Sequence, residues 1–227
     1  MICLFDWGLI STKASIAMVD VNMQLTQPQL QAAHHLTGTL ILLAAVGSGK
    51  TTTLSERIAV AVAAGVAPAR ILALTFTNRA AQRMRESLEE RDAVAGRRVH
   101  IHTFHALCAW VLRTEAKRLG LPPEVWIHDE EDAMAVLGEL GDLGMKPKDA
   151  MYKIHKDMSQ VPIGTASIAN YHTAAFSARP WARKYIDALT ERGAVDFAGL
   201  VYLARAALAE PDCAARWAAR FDLVQID

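Results

Sequence analysis

Residues 44–51 read Ala44-Ala45-Val46-Gly47-Ser48-Gly49-Lys50-Thr51, and the way the chain enters and leaves them decides the fold. Before them, Leu40 to Ala45 is a continuous apolar run, the pattern of a strand buried on both faces. After them, Lys50 to Ala64 is apolar-periodic and stops at Gly65, which predicts a helix with a glycine terminator. Strand, glycine loop and helix in that order make the setting that a phosphate-binding loop needs, although Ala44 stands where the strict pattern has Gly. Gly47 and Gly49 let backbone N–H groups curl round phosphate oxygens with no Cβ in the way. The helix N-terminus adds partial positive charge, Lys50 reaches toward β- and γ-phosphates, and the Thr51 hydroxyl is offered to Mg2+. A plain glycine turn with an incidental lysine is the alternative, and it leaves the flanking strand and helix unexplained.

The neighbouring segments extend the same alternation. Thr26-Gln27-Pro28-Gln29 starts a helix, with Thr26 as N-cap, Pro28 in the first turn and Gln29 as capping-box partner. Ile71 to Thr77 is a second buried strand, and Asn78 caps a charged helix reaching about Arg91. Val99 to Thr103 is a third strand, followed by a helix from Phe104 to about Arg118 that ends at Gly120 and the Pro122-Pro123 pair. Strands alternating with helices predict an α/β fold with a parallel sheet. Residues 121–195 offer helical periodicity and no convincing strand, so they are expected to form a helical insertion. Asp196 then caps a helix to Glu210, and Phe221 to Asp227 returns to strand character. Asp227 closes an apolar strand, where phosphate-loop enzymes place a second carboxylate on Mg2+.

With 52% hydrophobic and 21% charged residues, the 227-residue chain excludes a disordered or collagen-like class and predicts one or two domains. Forty alanines favour helix wherever no stronger signal competes. Lys plus Arg equals Asp plus Glu at 24 each, so bulk charge neither points to nor excludes a nucleic-acid partner. Cys3, Cys108 and Cys213 are odd in number and far apart, which argues against a disulfide framework and for a reducing, cytoplasmic setting. The apolar runs are too short to span a membrane. Met23 precedes the first well-patterned segment, so residues 1–22 are expected to be an extension outside the fold.

LTQPQLQAA (25–33), AAVGSGKT (44–51), ILALTFTNRAAQRMRESL (71–88) and HTFHALCAWVLR (102–113) occur in an order and spacing that resemble UvrD/Rep-type superfamily 1 DNA helicases. DEEDAMAVL (129–137), VDFAGL (195–200) and FDLVQID (221–227) continue the resemblance over residues 23–227. It implies a P-loop NTPase (RecA-like) domain over 23–113 and 197–227, split by a helical subdomain over 114–196. It also implies ATP and Mg2+ as cofactors, with catalytic roles for Lys50, Thr51 and Asp227, the last two holding the metal. Nucleotide contacts fall on Gln29, Ala45, Val46, Gly47, Ser48, Gly49, Lys50, Thr51 and Thr52. Gln29 matches the glutamine that reads adenine in the family; its capping-box role stands beside that reading.

Phe76, Thr77, Asn78 and Arg79 match one motif that lies along single-stranded DNA, and Thr103, Phe104 and His105 match another. An aromatic ring can stack on a base, and Asn or Thr can bond phosphates; for Phe76 a core position at a strand end is the alternative. His100 and His102 alternate on a strand with His105 close behind, a spacing that could suggest a metal cluster, but no acidic residue between His100 and His105 completes such a site. Arg79, Arg83, Arg85, Arg91, Arg97 and Arg98 outnumber Glu86, Glu89, Glu90 and Asp92 nearby, a surplus whose default is a solvated helix face.

The sequence also departs from the family. Ala45 and Val46 stand where Gly-Ala is usual, which stiffens the loop; Thr52 and Leu30 stand where arginine is common. The family's next residue after the strand-end Asp is a glutamate, and its partner is a second RecA-like domain. The chain as written is therefore expected to bind nucleotide and single-stranded DNA weakly, without useful ATP turnover or unwinding. The enzymatic expectation is the amino-terminal part of a 3′→5′ DNA translocase of replication, repair or recombination. A non-catalytic nucleotide- or DNA-binding module, or the start of an AddA/RecB-type helicase-nuclease, are the alternatives.

Overall fold

A computed structural model describes residues 25–45, 47–119, 121–122, 124–161 and 179–227. The extension expected over 1–22, Val46 of the loop and the helix-ending Gly120 lie outside the described residues. The chain divides into two compact units, one comprising residues up to Phe104 together with 219–227, the other His105–Ala218. The division falls at Phe104 and Ala219 instead of near 113 and 197. Within the second unit, buried Glu115 accepts hydrogen bonds from Arg216 at 2.7 Å and from the Trp217 indole at 3.1 Å, so those two segments fold together.

The first unit opens with α1 (Gln27–His34) and α2 (Lys50–Ala63), the latter released by Gly65 at φ +97°. A 3-10 turn, Pro68–Arg70, leads into β1 (Ile71–Thr75), then α3 (Asn78–Glu89), α4 (Ala93–Arg98) and β2 (His100–Thr103). The returning strand is β5 (Leu223–Ile226). The sheet order is β2-β1-β5, all parallel, with Thr75 opposite Thr103 and Leu74 opposite Ile226. Central β1 is buried along its whole length, as its unbroken apolar run predicts. Ile58, Ile71, Met84, Leu88, Ile101 and Leu223 form the core around it. Each fully buried side chain of this size contributes roughly 1.5–3 kcal/mol.

Two expectations are corrected in this unit. Leu40 to Ala45 is not a strand buried on both faces: Leu40 makes a single β-bridge, Ile41 to Ala45 has no strand pairing, and Ile41 and Leu43 are 56% and 61% exposed. A fully buried strand needs a paired neighbour on each side, and the three-stranded sheet does not extend to this segment. The cap of α3 is Thr77, not Asn78, because the Thr77 hydroxyl accepts from the Ala80 N–H at 3.1 Å.

The second unit holds α5, whose helix runs Phe104–Leu119, then β3 (Trp126–His128), α6 (Glu130–Glu139) and α7 (Pro147–Gln160). α8 (Pro180–Glu191), β4 (Ala194–Asp196), α9 (Phe197–Ala209) and α10 (Pro211–Ala218) follow. It is mainly helical, but β3 and β4 pair in parallel, which corrects the expectation of no strand between 121 and 195. Asp196 caps α9 as expected, accepting from the Gly199 N–H at 2.7 Å. Its other carboxylate oxygen accepts from the Tyr185 hydroxyl at 2.9 Å and meets His155 Nε2 at 3.3 Å. Buried Tyr185, Ile154, Leu137 and Tyr202 surround these polar contacts.

Candidate functional site

The loop before α2 is shaped by its glycines. Gly47 and Gly49 sit at φ +78° and +84°, and a Cβ on Gly49 would lie 2.9 Å from the Gln29 amide nitrogen. Any other residue at 49 meets both backbone strain and a side-chain clash. Ser48 folds the loop onto itself, its hydroxyl donating to the Ala45 carbonyl at 2.7 Å. Lys50 Nζ donates to the carbonyls of Ala44 and Ala45 at 2.9 and 2.7 Å, which holds the ammonium over the loop that would surround phosphate.

Thr51, in the first turn of α2, donates through Oγ1 to Asp227 Oδ2 at 2.8 Å. The two lie 176 positions apart, so the fold alone brings them together. β5 carries Asp227 there: the Asp227 N–H bonds the Leu74 carbonyl at 2.8 Å, and the Gln225 amide donates to the Leu54 carbonyl of α2 at 3.0 Å. A hydroxyl and a carboxylate converging at hydrogen-bond distance are hard oxygen donors of the kind Mg2+ takes. Asp227 also stands past the carboxyl end of a parallel strand, the edge where open α/β sheets bind ligands.

Gln29 is engaged at both ends of its amide. Its Oε1 accepts from the Thr26 N–H and hydroxyl at 2.7 and 2.9 Å, and its Nε2 donates to the Ser48 carbonyl at 2.9 Å. The capping-box contact is thus formed, and the same side chain ties α1 to the glycine loop. Thr52 follows in the first turn of α2, half-buried, with Thr53 behind it bonding the Gly49 carbonyl at 2.9 Å.

At the same carboxyl edge, Phe76 is 82% exposed and the core alternative for it is overturned. Thr77, Asn78 and Arg79 are exposed beside it. Because Thr75 pairs with Thr103, Phe76 and the exposed Phe104 leave adjacent strands at one level. Thr103 itself is buried in the sheet, so its side chain does not join that surface. His105 belongs to the second unit, where its ring meets Phe197 edge-on at 5.2 Å. Burial pushes the His100 and His102 imidazoles below the ordinary histidine value.

The arginines lie on α3 and α4, with Arg91 between the two helices. Arg85 donates to the Ile101 carbonyl at 3.0 Å and Arg91 pairs with buried Glu56, so these two hold the unit together. Arg79, Arg83, Arg97 and Arg98 remain on the surface. Sequence reasoning missed Gln225 and Glu56; a polar residue at an inward position of an otherwise apolar strand or helix is the signal for both.

The family described as UvrD/REP helicase N-terminal domain matches residues 25–227. The chain is similar to the ATP-dependent DNA helicase PcrA of Bacillus subtilis, 39% identical over 53% of this chain and 16% of that protein. It resembles the ATP-dependent DNA helicase UvrD1 of Mycobacterium tuberculosis at 40% identity over 55% of this chain and 16% of that protein. A probable DNA helicase II homolog of Mycoplasma capricolum is 28% identical over 89% of this chain and 30% of its own length. The matches thus span from about a sixth to under a third of these relatives. With a match running from Leu25 through Asp227, the chain belongs to the UvrD/REP helicase N-terminal domain family.

Proposed function

We propose that this chain is the nucleotide-binding portion of an ATP-dependent DNA helicase that moves 3′→5′ along single-stranded DNA in replication, repair or recombination. The observation that carries the reading is the convergence of Lys50, Thr51 and Asp227 at one end of a parallel sheet. In this reading the first unit is a P-loop NTPase unit of RecA-like type. Lys50 leaves the Ala44 and Ala45 carbonyls to meet the β- and γ-phosphates, and the N–H groups of Gly47, Ser48 and Gly49 surround them. Thr51 and Asp227 would hold Mg2+, which supplies neutralisation of phosphate charge when bound with nucleotide. Gln29 gives up the Ser48 carbonyl to read adenine while keeping its bonds to Thr26.

The DNA surface in this proposal is Phe76 with Thr77, Asn78 and Arg79, joined by Phe104. Thr103 positions Phe104 from within the sheet. A single domain supplies only part of a groove, and a second RecA-like domain is the partner that would close the nucleotide site. The setting proposed is cytoplasmic; among the described residues no helix is long and apolar enough to cross a membrane. The test is a DNA-stimulated ATPase assay on this chain beside the same chain extended through its natural downstream sequence. Stimulated turnover only in the extended polypeptide, lost in Lys50→Ala, supports the reading. Absence of turnover in the extended polypeptide would point to a binding module.

A further inference from the structure

We propose that Gln225 is a positioning residue for the metal end of the site: its buried amide sets where Asp227 stands relative to Thr51. Two side-chain hydrogen bonds join α2 to the segment Leu223–Asp227, Thr51 to Asp227 at 2.8 Å and Gln225 to the Leu54 carbonyl at 3.0 Å. They are neighbours along both elements. Two residues of strand cover about 6.6–6.8 Å and three residues of helix about 4.5 Å, so whatever fixes one tie constrains the other. The other contacts of β5 fix different degrees of freedom. Arg70 pairs with Asp222 ahead of the strand and the Asp227 N–H bonds the Leu74 carbonyl, which sets β5 along β1. Leu223 joins the apolar core with Ile58, at the end of β5 away from the loop. Gln225 is the tie to α2 two residues from the carboxylate.

The amide holds this place against a stability cost. Gln225 is 5% exposed on a strand whose other inward residue is Leu223, and its Oε1 has no partner among the described residues. Burying an unpaired oxygen loses as much as one ordinary hydrogen bond contributes, or more, whereas an apolar side chain there would carry no such penalty. The Leu54 carbonyl lies inside α2 and accepts a helical bond in any case, so it does not need the Gln225 amide. What the bond achieves is geometry. Oxygen donors for Mg2+ must stand at a defined spacing, and residues that orient metal ligands are worth about 10–100-fold in metal affinity. The role rests on the proposed Mg2+ site of Thr51 and Asp227, and titration distinguishes failure of the one from failure of the other.

Isothermal titration of the 227-residue chain with ADP, in Mg2+ and in a chelator, measures the affinity gained from the metal. Gln225→Met keeps the length of the side chain and removes its polar atoms. It should lower the Mg2+-supported affinity about tenfold and leave the metal-free affinity within about twofold. Its melting temperature should stay within about 2 °C of the parent's or rise above it, because the unpaired oxygen is gone. In an Asp227→Asn background the same substitution should cause no further loss with Mg2+, since Gln225 acts through that carboxylate. Gln225→Leu serves if the methionine variant does not fold. A full metal gain in Gln225→Met overturns the positioning role and leaves the metal site standing. Equal losses with and without Mg2+, the same loss with and without the Asp227 carboxylate, or failure of both variants to fold would make Gln225 a structural residue and overturn the role as well. No metal gain in the parent overturns the site of Thr51 and Asp227, and the role with it.

Discussion

Thr51 and Asp227 are joined by a 2.8 Å hydrogen bond that ties the first turn of α2 to the residue after β5. One belongs to the helix after the glycine loop, the other to the end of a sheet strand, and neither has meaning for phosphate chemistry alone. If these oxygens hold Mg2+, Asp227→Asn should weaken nucleotide binding in the presence of Mg2+ and leave the metal-free affinity nearly unchanged. Isothermal titration of ADP with Mg2+ and with a chelator separates the two; equal losses in both conditions would count against a metal role.

Gln29 spans Thr26 and Ser48, so it serves both the start of α1 and the loop. Gln29→Ala should cost about 1 kcal/mol of stability through the lost cap contacts. It should also reduce the preference for adenine over guanine nucleotides. Competition between ATP and GTP reads the second effect; an unchanged ratio would leave Gln29 as a capping residue only.

Phe76 is exposed past the end of β1, and in the proposed function its ring stacks on a base. Base stacking is worth ~1–3 kcal/mol, so Phe76→Ala should lower single-stranded DNA affinity roughly five- to 150-fold while the melting temperature stays put. Affinity should also fall as salt rises, through counterion release. Fluorescence anisotropy with a labelled oligothymidine checks both; salt-independent binding or full affinity in the variant would contradict the assignment.

Asp196 anchors the second unit. Burial would raise its carboxyl, but hydrogen bonds from His155, the Gly199 N–H and Tyr185 hold it below the ordinary aspartate value of 3.8. A depressed native value means the stabilisation is complete above 3.8 and is lost as pH falls through the lower native value. Thermal melts should therefore show this contribution steady at neutral pH and declining only in that acid window. Asp196→Ala strands the Tyr185 hydroxyl and the α9 cap and should cost about 2–4 kcal/mol. A variant as stable as the parent would show that these contacts are made good elsewhere.

Much of the fold is legible in the sequence because the signals are long. Ile71 to Thr75 is apolar without interruption and is the central strand, and Gly65 and Asp196 end and begin helices where expected. Leu40 to Ala45 misleads for the same reason that β1 reads correctly. Apolarity reports a preference for burial, and the partner strands that would satisfy it are not a property of the segment. β3 and β4 have three residues each, too short for a period to show. α10 escapes notice although Pro211, Asp212 and the pair Cys213 and Trp217 are a helix start with buried residues four apart. Thr77 and Asn78 are both good caps, and only the Ala80 hydrogen bond chooses between them. At the site, the loop and Asp227 are visible as types in sequence; the link from Gln29 to Ser48 and the support from Gln225 arise from packing between distant segments.

In the proposed function Lys50 and its loop bind nucleotide phosphates. A titration of the 227-residue chain with a fluorescent ADP analogue and Mg2+, beside Lys50→Ala, tests it most directly. Saturable binding in the parent, competed by ATP and weakened at least about tenfold in Lys50→Ala, is the predicted result, since a charge-assisted phosphate contact of about 1.5–3 kcal/mol is removed. Equal binding by both proteins would contradict the account.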